Sequence, residues 1–263
     1  MIPWIEIPSF SLGPLTVQAF GVLVAIGIVV GFNIGLKHVL RSGLEPAPYN
    51  GFLLWGVLGG ILGGHLVHLF LYHPEELSLL RFLQVWNGLS SLGGILGAVV
   101  AMRIYFGRRK ISFAAYADSF AMGIAPAWCI GRVGCFVAHD HPGLLTHFVL
   151  AVQYPGGARH DLGLYDAMLL FCITVLVHVL DRRKVLRGRL LAVVAISYGL
   201  VRFFFDFLRA TDVPYADARY GGLTPGQYIC FLLILWGGWW IFSGFHAAKL
   251  SPQGQSKSGA LKG

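Results

Sequence analysis

Along these 263 residues, apolar stretches of membrane-spanning length alternate with short polar connections. A helix needs about 20 mostly apolar residues to cross a bilayer, because in hydrocarbon every backbone polar group must bond within the segment. Seven stretches qualify, at about 15–36, 51–72, 90–107, 114–138, 163–180, 190–208 and 226–246. The pattern predicts an all-α membrane protein, a polytopic bundle of about seven transmembrane helices in one domain spanning residues 1–249. Residues 1–14 are apolar but broken by Pro3, Pro8 and Pro14, which suits an interfacial arm anchored by Trp4 better than a helix. The first span lacks a positive leader and six more follow it, so it reads as a retained helix. The Ser-, Gly- and Lys-rich segment 250–263 reads as a disordered tail.

Composition agrees with this and removes one function class. Apolar residues make up 56% of the chain and charged ones 12%, against about a quarter charged in an average soluble domain. The net charge of +8 raises the question of a nucleic-acid partner, and its placement answers it. Lys37 and Arg41 follow the first span, and Arg103, Arg108, Arg109 and Lys110 the third. Arg182, Arg183, Lys184, Arg187 and Arg189 follow the fifth, and Lys249, Lys257 and Lys262 lie in the tail. Fourteen of the 20 cations thus fall on one face, which the positive-inside rule makes cytoplasmic, with the N-terminus outside and the C-terminus inside. No nucleic-acid partner is expected. Cys129, Cys135, Cys172 and Cys230 sit in apolar segments without ligand spacing, so neither a disulfide framework nor a zinc site is indicated.

Charge inside the spans carries the candidate chemistry. In Tyr198-Gly-Leu-Val-Arg202-Phe-Phe-Phe-Asp206-Phe-Leu-Arg209 the four polar side chains fall within a helical arc of roughly 80°. An arginine at membrane depth costs at least about 2.5–3.5 kcal/mol, so it is normally paired and turned inward. Asp206, four residues on, is the natural partner of Arg202. The plain alternative is an Arg–Asp pair that knits helices together. Arg132, near the outer end of the fourth span, is a second buried guanidinium with Gly131 and Gly134 beside it. Two such arginines fit an anionic group, because a guanidinium grips phosphate through parallel hydrogen bonds, and a lipid phosphate is the anion at hand.

The fourth span is expected to end at His139–Pro142, where His139, Asp140 and His141 cluster. As a metal site this trio lacks a clear third ligand, so no metal is expected and a base or hydrogen-bonding role is preferred. Arg159-His160-Asp161 with Tyr165 and Asp166 opens the fifth span with the same residue types, although Asp161 alone also suits a helix N-cap. His65 and His68 share a face of the glycine-rich second span, where an interhelical hydrogen bond is the plain reading. Gly93 and Gly94 with Gly97 in the third span, like the glycines of the second, suit close helix packing.

Taken in order, these pieces resemble the prolipoprotein diacylglyceryl transferases of bacterial inner membranes. The resemblance rests on Gly63-Gly64-His65-Leu with Tyr72 and Pro74; Val85-Trp86-Asn87-Gly88 leading to Ser91-Leu92-Gly93-Gly94-Ile95-Leu96-Gly97; and Gly131-Arg132-Val-Gly134. It continues through Arg159-His160 with Leu164-Tyr165, Tyr198 to Arg209, and Gly222-Leu223-Thr224-Pro225-Gly226-Gln227. It implies a multi-pass inner-membrane enzyme that moves a diacylglyceryl group from phosphatidylglycerol to the lipobox cysteine of a preprolipoprotein signal peptide, among membrane lipids and without a cofactor. By that resemblance Arg132 and Arg202 hold the headgroup and Tyr198 lines the reaction centre. Asp206, Arg209, Gly93, Gly94 and His65 complete the lipid site. Three departures stand out: Leu92 where the family has the histidine of His-Gly-Gly, Cys135 and Ala138 where it has asparagines, and Asp161-Leu162-Gly163 where it has Pro-Ser-Gln. Either His139, His141, His160 or His65, with Asp140 in the place of a glutamate, supplies the missing base, or the chain is a paralogue with another acceptor. A non-catalytic lipid-binding or transport protein is the third reading.

Overall fold

The computed structural model describes residues 1–5, 9–12, 15–72, 78–84, 88, 90–214 and 216–243. Pro74, Trp86, Asn87, the tail and the side chain of Leu92 lie outside them. A short antiparallel hairpin, β1 (Phe10–Leu12) and β2 (Leu15–Val17), stands where the arm was expected, so the first helix begins later than the apolar pattern implied. The helices are α1 (Ala19–Arg41), α2 (Pro46–Val67) with a π-helical turn over His68–Tyr72, the short α3 (Leu79–Leu83), α4 (Ser91–Arg109) and α5 (Phe113–Ala138). Then come α6 (Leu162–Arg182), α7 (Leu190–Phe205) ending in a 3-10 turn over Asp206–Leu208, and α8 (Pro225–Phe242). Helix α2 starts earlier than predicted because Pro46 at its first position is already set for helical φ.

Among the described residues six helices, α1, α2, α5, α6, α7 and α8, are long and apolar enough to cross a membrane. The third predicted span, 90–107, is helical as α4, but four glycines and Arg103, Arg108 and Arg109 lower its hydropathy.

Glycine sets the helix pairing. Helix α1 lies along α5 and α2 along α4. A Cβ on Gly31 would stand 2.4 Å from the carbonyl oxygen of Gly123, and one on Gly63 2.5 Å from that of Gly93. In lipid, where apolar surface gains nothing by leaving hydrocarbon, such backbone approach is what holds helices together. Helices α5, α6 and α7 share a core of Met122, Leu170, Ile173, Val177, Val194 and Tyr198. Toward the other end, Val39, Tyr49, Tyr105, Phe106, Tyr116 and Phe120 join α1, α2, α4 and α5.

Both ends of the bundle are tied. At one, His38 bonds Ser119 (2.8 Å) and Asp181 (3.1 Å), and Arg41 donates to Asp181 (2.8 Å). At the other, a three-stranded antiparallel sheet in the order β3 (Pro142–Leu145), β5 (Gly157–Asp161), β4 (Val152–Tyr154) fills the connection between the predicted spans 114–138 and 163–180. Strands of three to five residues are too short to show the alternation that announces a strand. Ile2 bridges in parallel to Val152, and so brings the N-terminal arm to the same sheet.

Candidate functional site

The site forms where α5, α6 and α7 meet below the sheet. Asp166, on the second turn of α6, is fully buried, and its Oδ2 lies 3.3 Å from Arg132 Nε of α5 and 3.2 Å from Arg202 Nε of α7. Both approaches are ion pairs by distance but miss hydrogen-bonding direction, so neither carboxylate oxygen has a hydrogen-bond partner among the described residues. Arg202 donates to Asp206 at 2.5 Å, the pairing its spacing predicted. The 3-10 turn then swings Arg209 back, so that its Nε sits 3.3 Å from Asp206 while its Nη1 reaches Asp217. Asp206 also accepts from the Thr224 hydroxyl. Thr224 is the N-cap of α8 and forms a reciprocal capping box with Gln227, whose side chain reaches the Phe203 carbonyl (3.1 Å). The motif Gly222–Gln227 therefore locks the start of α8 to the carboxylate that holds Arg202.

Arg132 is the hinge of the cluster. Its Nη2 donates to the Tyr198 hydroxyl (3.4 Å), and its Nη1 lies 3.3 Å from His141 Nε2. The Trp128 ring, centred 4.2 Å from that of Tyr198, closes the wall behind. His141 Nδ1 is hydrogen-bonded to Asp140, which fixes the ring and turns its second nitrogen toward Arg132. Arg132 and Arg202 bring two guanidiniums together on one poorly directed carboxylate, Asp166, while Asp206 and Asp217 take up Arg209. An anion is drawn to such a place, and the poorly directed Arg–Asp166 contacts leave guanidinium donors free to turn toward it.

The other histidines face different partners. His139 takes a left-handed backbone (φ 51°) at the end of α5, lies 3.3 Å from Asp161, and stacks on Trp4 at 4.1 Å. With Tyr154 donating to the same Asp161 at 2.7 Å, it ties arm, sheet and helix together. Asp161 caps α6 by accepting from the Leu164 amide (2.9 Å), as its type predicted. His160 bonds the Tyr165 hydroxyl (2.7 Å), and burial pushes its pKa below the ordinary 6.5. Arg159 grips Asp212 through two hydrogen bonds (2.8 and 2.6 Å) and holds that carboxyl below its usual range.

His65, Gly93 and Gly94 belong to the α2–α4 pair. His65 is buried, with its ring nitrogens 3.3 Å from the Gly88 carbonyl and 3.1 Å from that of Arg81. A Cβ on Gly93 would stand 2.3 Å from the Gly63 carbonyl, and one on Gly94 3.6 Å from that of Gly60. One member of the cluster was not singled out as a site residue in the sequence: Asp166 stood there only as part of the polar group that opens the fifth span. The signal for Asp166 was that two membrane arginines needed more than one carboxylate.

A family model described as prolipoprotein diacylglyceryl transferase matches residues 8–243. Curated proteins named phosphatidylglycerol–prolipoprotein diacylglyceryl transferase are similar over nearly the whole chain. One from Chromohalobacter salexigens is 29% identical, covering 89% of this chain and 91% of its own. One from Nitratidesulfovibrio vulgaris is 28% identical, covering 94% and 97%. One from Rhizobium leguminosarum is 31% identical, covering 90% and 91%.

Proposed function

Since the chain belongs to the prolipoprotein diacylglyceryl transferase family, we propose that it transfers the diacylglyceryl group of phosphatidylglycerol to the lipobox cysteine thiol of preprolipoproteins, the first step of lipoprotein maturation, with His141 as the base. The reading places the enzyme in a bacterial inner membrane, N-terminus outside, with the reaction at the outer end of the bundle. The observation that carries it is the position of His141, oriented by Asp140 and 3.3 Å from the Arg132 guanidinium.

The chemistry follows from these groups. The lipobox thiol gives its proton to His141, and the thiolate sulfur attacks the glyceryl carbon that bears the phosphate ester. A carbon–sulfur bond forms, the carbon–oxygen bond breaks, and glycerol phosphate leaves with the electron pair. Charge builds on the departing phosphate, where Arg132 and Arg202 meet it with donors already in place. Tyr198, held by Arg132, orients the headgroup, and Asp206 with Arg209 keeps Arg202 in position. His141 later returns its proton to the phosphate or to water. No cofactor enters. His139 is engaged by Asp161 and Trp4, and His65 by two backbone carbonyls, so both fit structural roles better.

The test is direct. Purified protein incubated with phosphatidylglycerol and a lipobox peptide should yield the diacylglyceryl thioether, read by mass spectrometry. His141→Gln should lower kcat by about 10²–10⁴-fold, the usual contribution of a general base, with KM nearly unchanged. Folded protein that makes no thioether would overturn the function, and undiminished turnover by H141Q would overturn the assignment of the base.

A further inference from the structure

The run His139-Asp140-His141 lacks a third metal ligand in sequence, because His139 turns away to Asp161. The fold supplies one. Cys135 stands one helical turn before the end of α5, and its Sγ, a carboxylate oxygen of Asp140 and a ring nitrogen of His141 all lie within 4.8 Å of one another. We propose that Cys135, Asp140 and His141 bind a thiophilic divalent cation of the zinc class, and that the bound ion suspends group transfer.

Thiolate, imidazole and carboxylate are the ligand types zinc selects, at about 2.0–2.3 Å each. Such bonds in a tetrahedron set the donors about 3.3–3.8 Å apart, so closing the site asks for roughly an ångström of side-chain rotation. Access favours it too. The Asp140 and His141 side chains are 45% and 24% exposed, whereas Cys135 is buried behind them as the wall of the site. Arg132, 3.9 Å from Cys135 Sγ, would repel a bare dication. A thiolate and a carboxylate together neutralise it, and the guanidinium then faces a centre without net charge. Three protein donors leave the fourth position open to water, as in zinc sites that are not purely structural.

An ion held there takes His141 and Asp140 out of proton transfer. For that effect the proposal rests on His141 being the base; for binding it does not. The experiment separates the two. The detergent-purified chain, free of substrate, is titrated with cobalt(II) and then with zinc. A near-ultraviolet thiolate-to-cobalt band should grow to one equivalent and be erased by one equivalent of zinc. Cys172→Ser should keep the band. Cys135→Ser should lose it while still forming thioether, which shows that it folds, and its transfer should resist zinc that stops the parent. Asp140→Ala should weaken cobalt binding by more than about 100-fold, beyond the loss expected from a mere outer partner. No band from the parent, or an equal band from C135S, overturns the site. A band without zinc inhibition overturns the suspension of transfer. A band from protein that makes no thioether even without zinc leaves the site standing and counts against the enzymatic reading.

Discussion

Asp166 decides the electrostatics of the site. One carboxylate with no exposure stands between two guanidiniums from different helices, so removing its charge leaves both arginines buried with less compensation. Breaking such a pair costs about 3–5 kcal/mol. Asp166→Asn should therefore lower the thermal midpoint sharply as well as turnover, read by unfolding in detergent and by thioether yield. His139 and His141, two residues apart, should behave oppositely: His139→Gln should loosen the N-terminal arm, seen as faster proteolysis, with smaller effect on kcat than His141→Gln. His160 carries a pH dependence. Its folded pKa lies below 6.5, so the unfolded chain binds more protons in that range. Stability should be highest above about 6.5 and fall as the pH drops through 6.5 toward the lower folded value. His160→Gln should flatten that acid slope in midpoint-against-pH measurements. The burial and pairing of Arg202 with Asp206 were legible from sequence because charge in an apolar span is normally paired and turned inward. Asp166 was not, because at the head of a helix a carboxylate is ordinary and only the fold reveals its partners.

The elements depend on close approach more than on side-chain bulk. Gly63→Leu would drive a side chain into the Gly93 backbone, 2.5 Å from where its Cβ begins. Overpacking of that kind costs about 1–3 kcal/mol or more, so α2 and α4 should separate, measured as a lower unfolding midpoint with the Arg132 cluster chemically intact. Thr224→Ala removes a cap worth about 1 kcal/mol and a bond to Asp206 at once, so turnover should suffer along with stability. The long helices were legible because apolar length is a strong signal. The three-stranded sheet was not, since β3, β4 and β5 are too brief to alternate, and the bridge from Val152 of β4 to Ile2 spans more than half of the chain.

At the scale of the whole molecule, the Ile2–Val152 bridge carries a rule of parity. Strands that pair lie in the same aqueous compartment, so the chain between them must cross the bilayer an even number of times. Helices α1, α2 and α5 intervene, an odd set unless α4 crosses as well. The His38–Asp181 contact imposes the same count independently, since it joins the end of α1 to the end of α6. From these two closures we propose that α4 is a full span in spite of its arginines, so that the chain traverses seven times with its ends in opposite compartments. Cysteines placed singly at Ser9 and Ser243 should react with an impermeant maleimide from opposite sides of sealed vesicles, and labelling of both from one side would break the count.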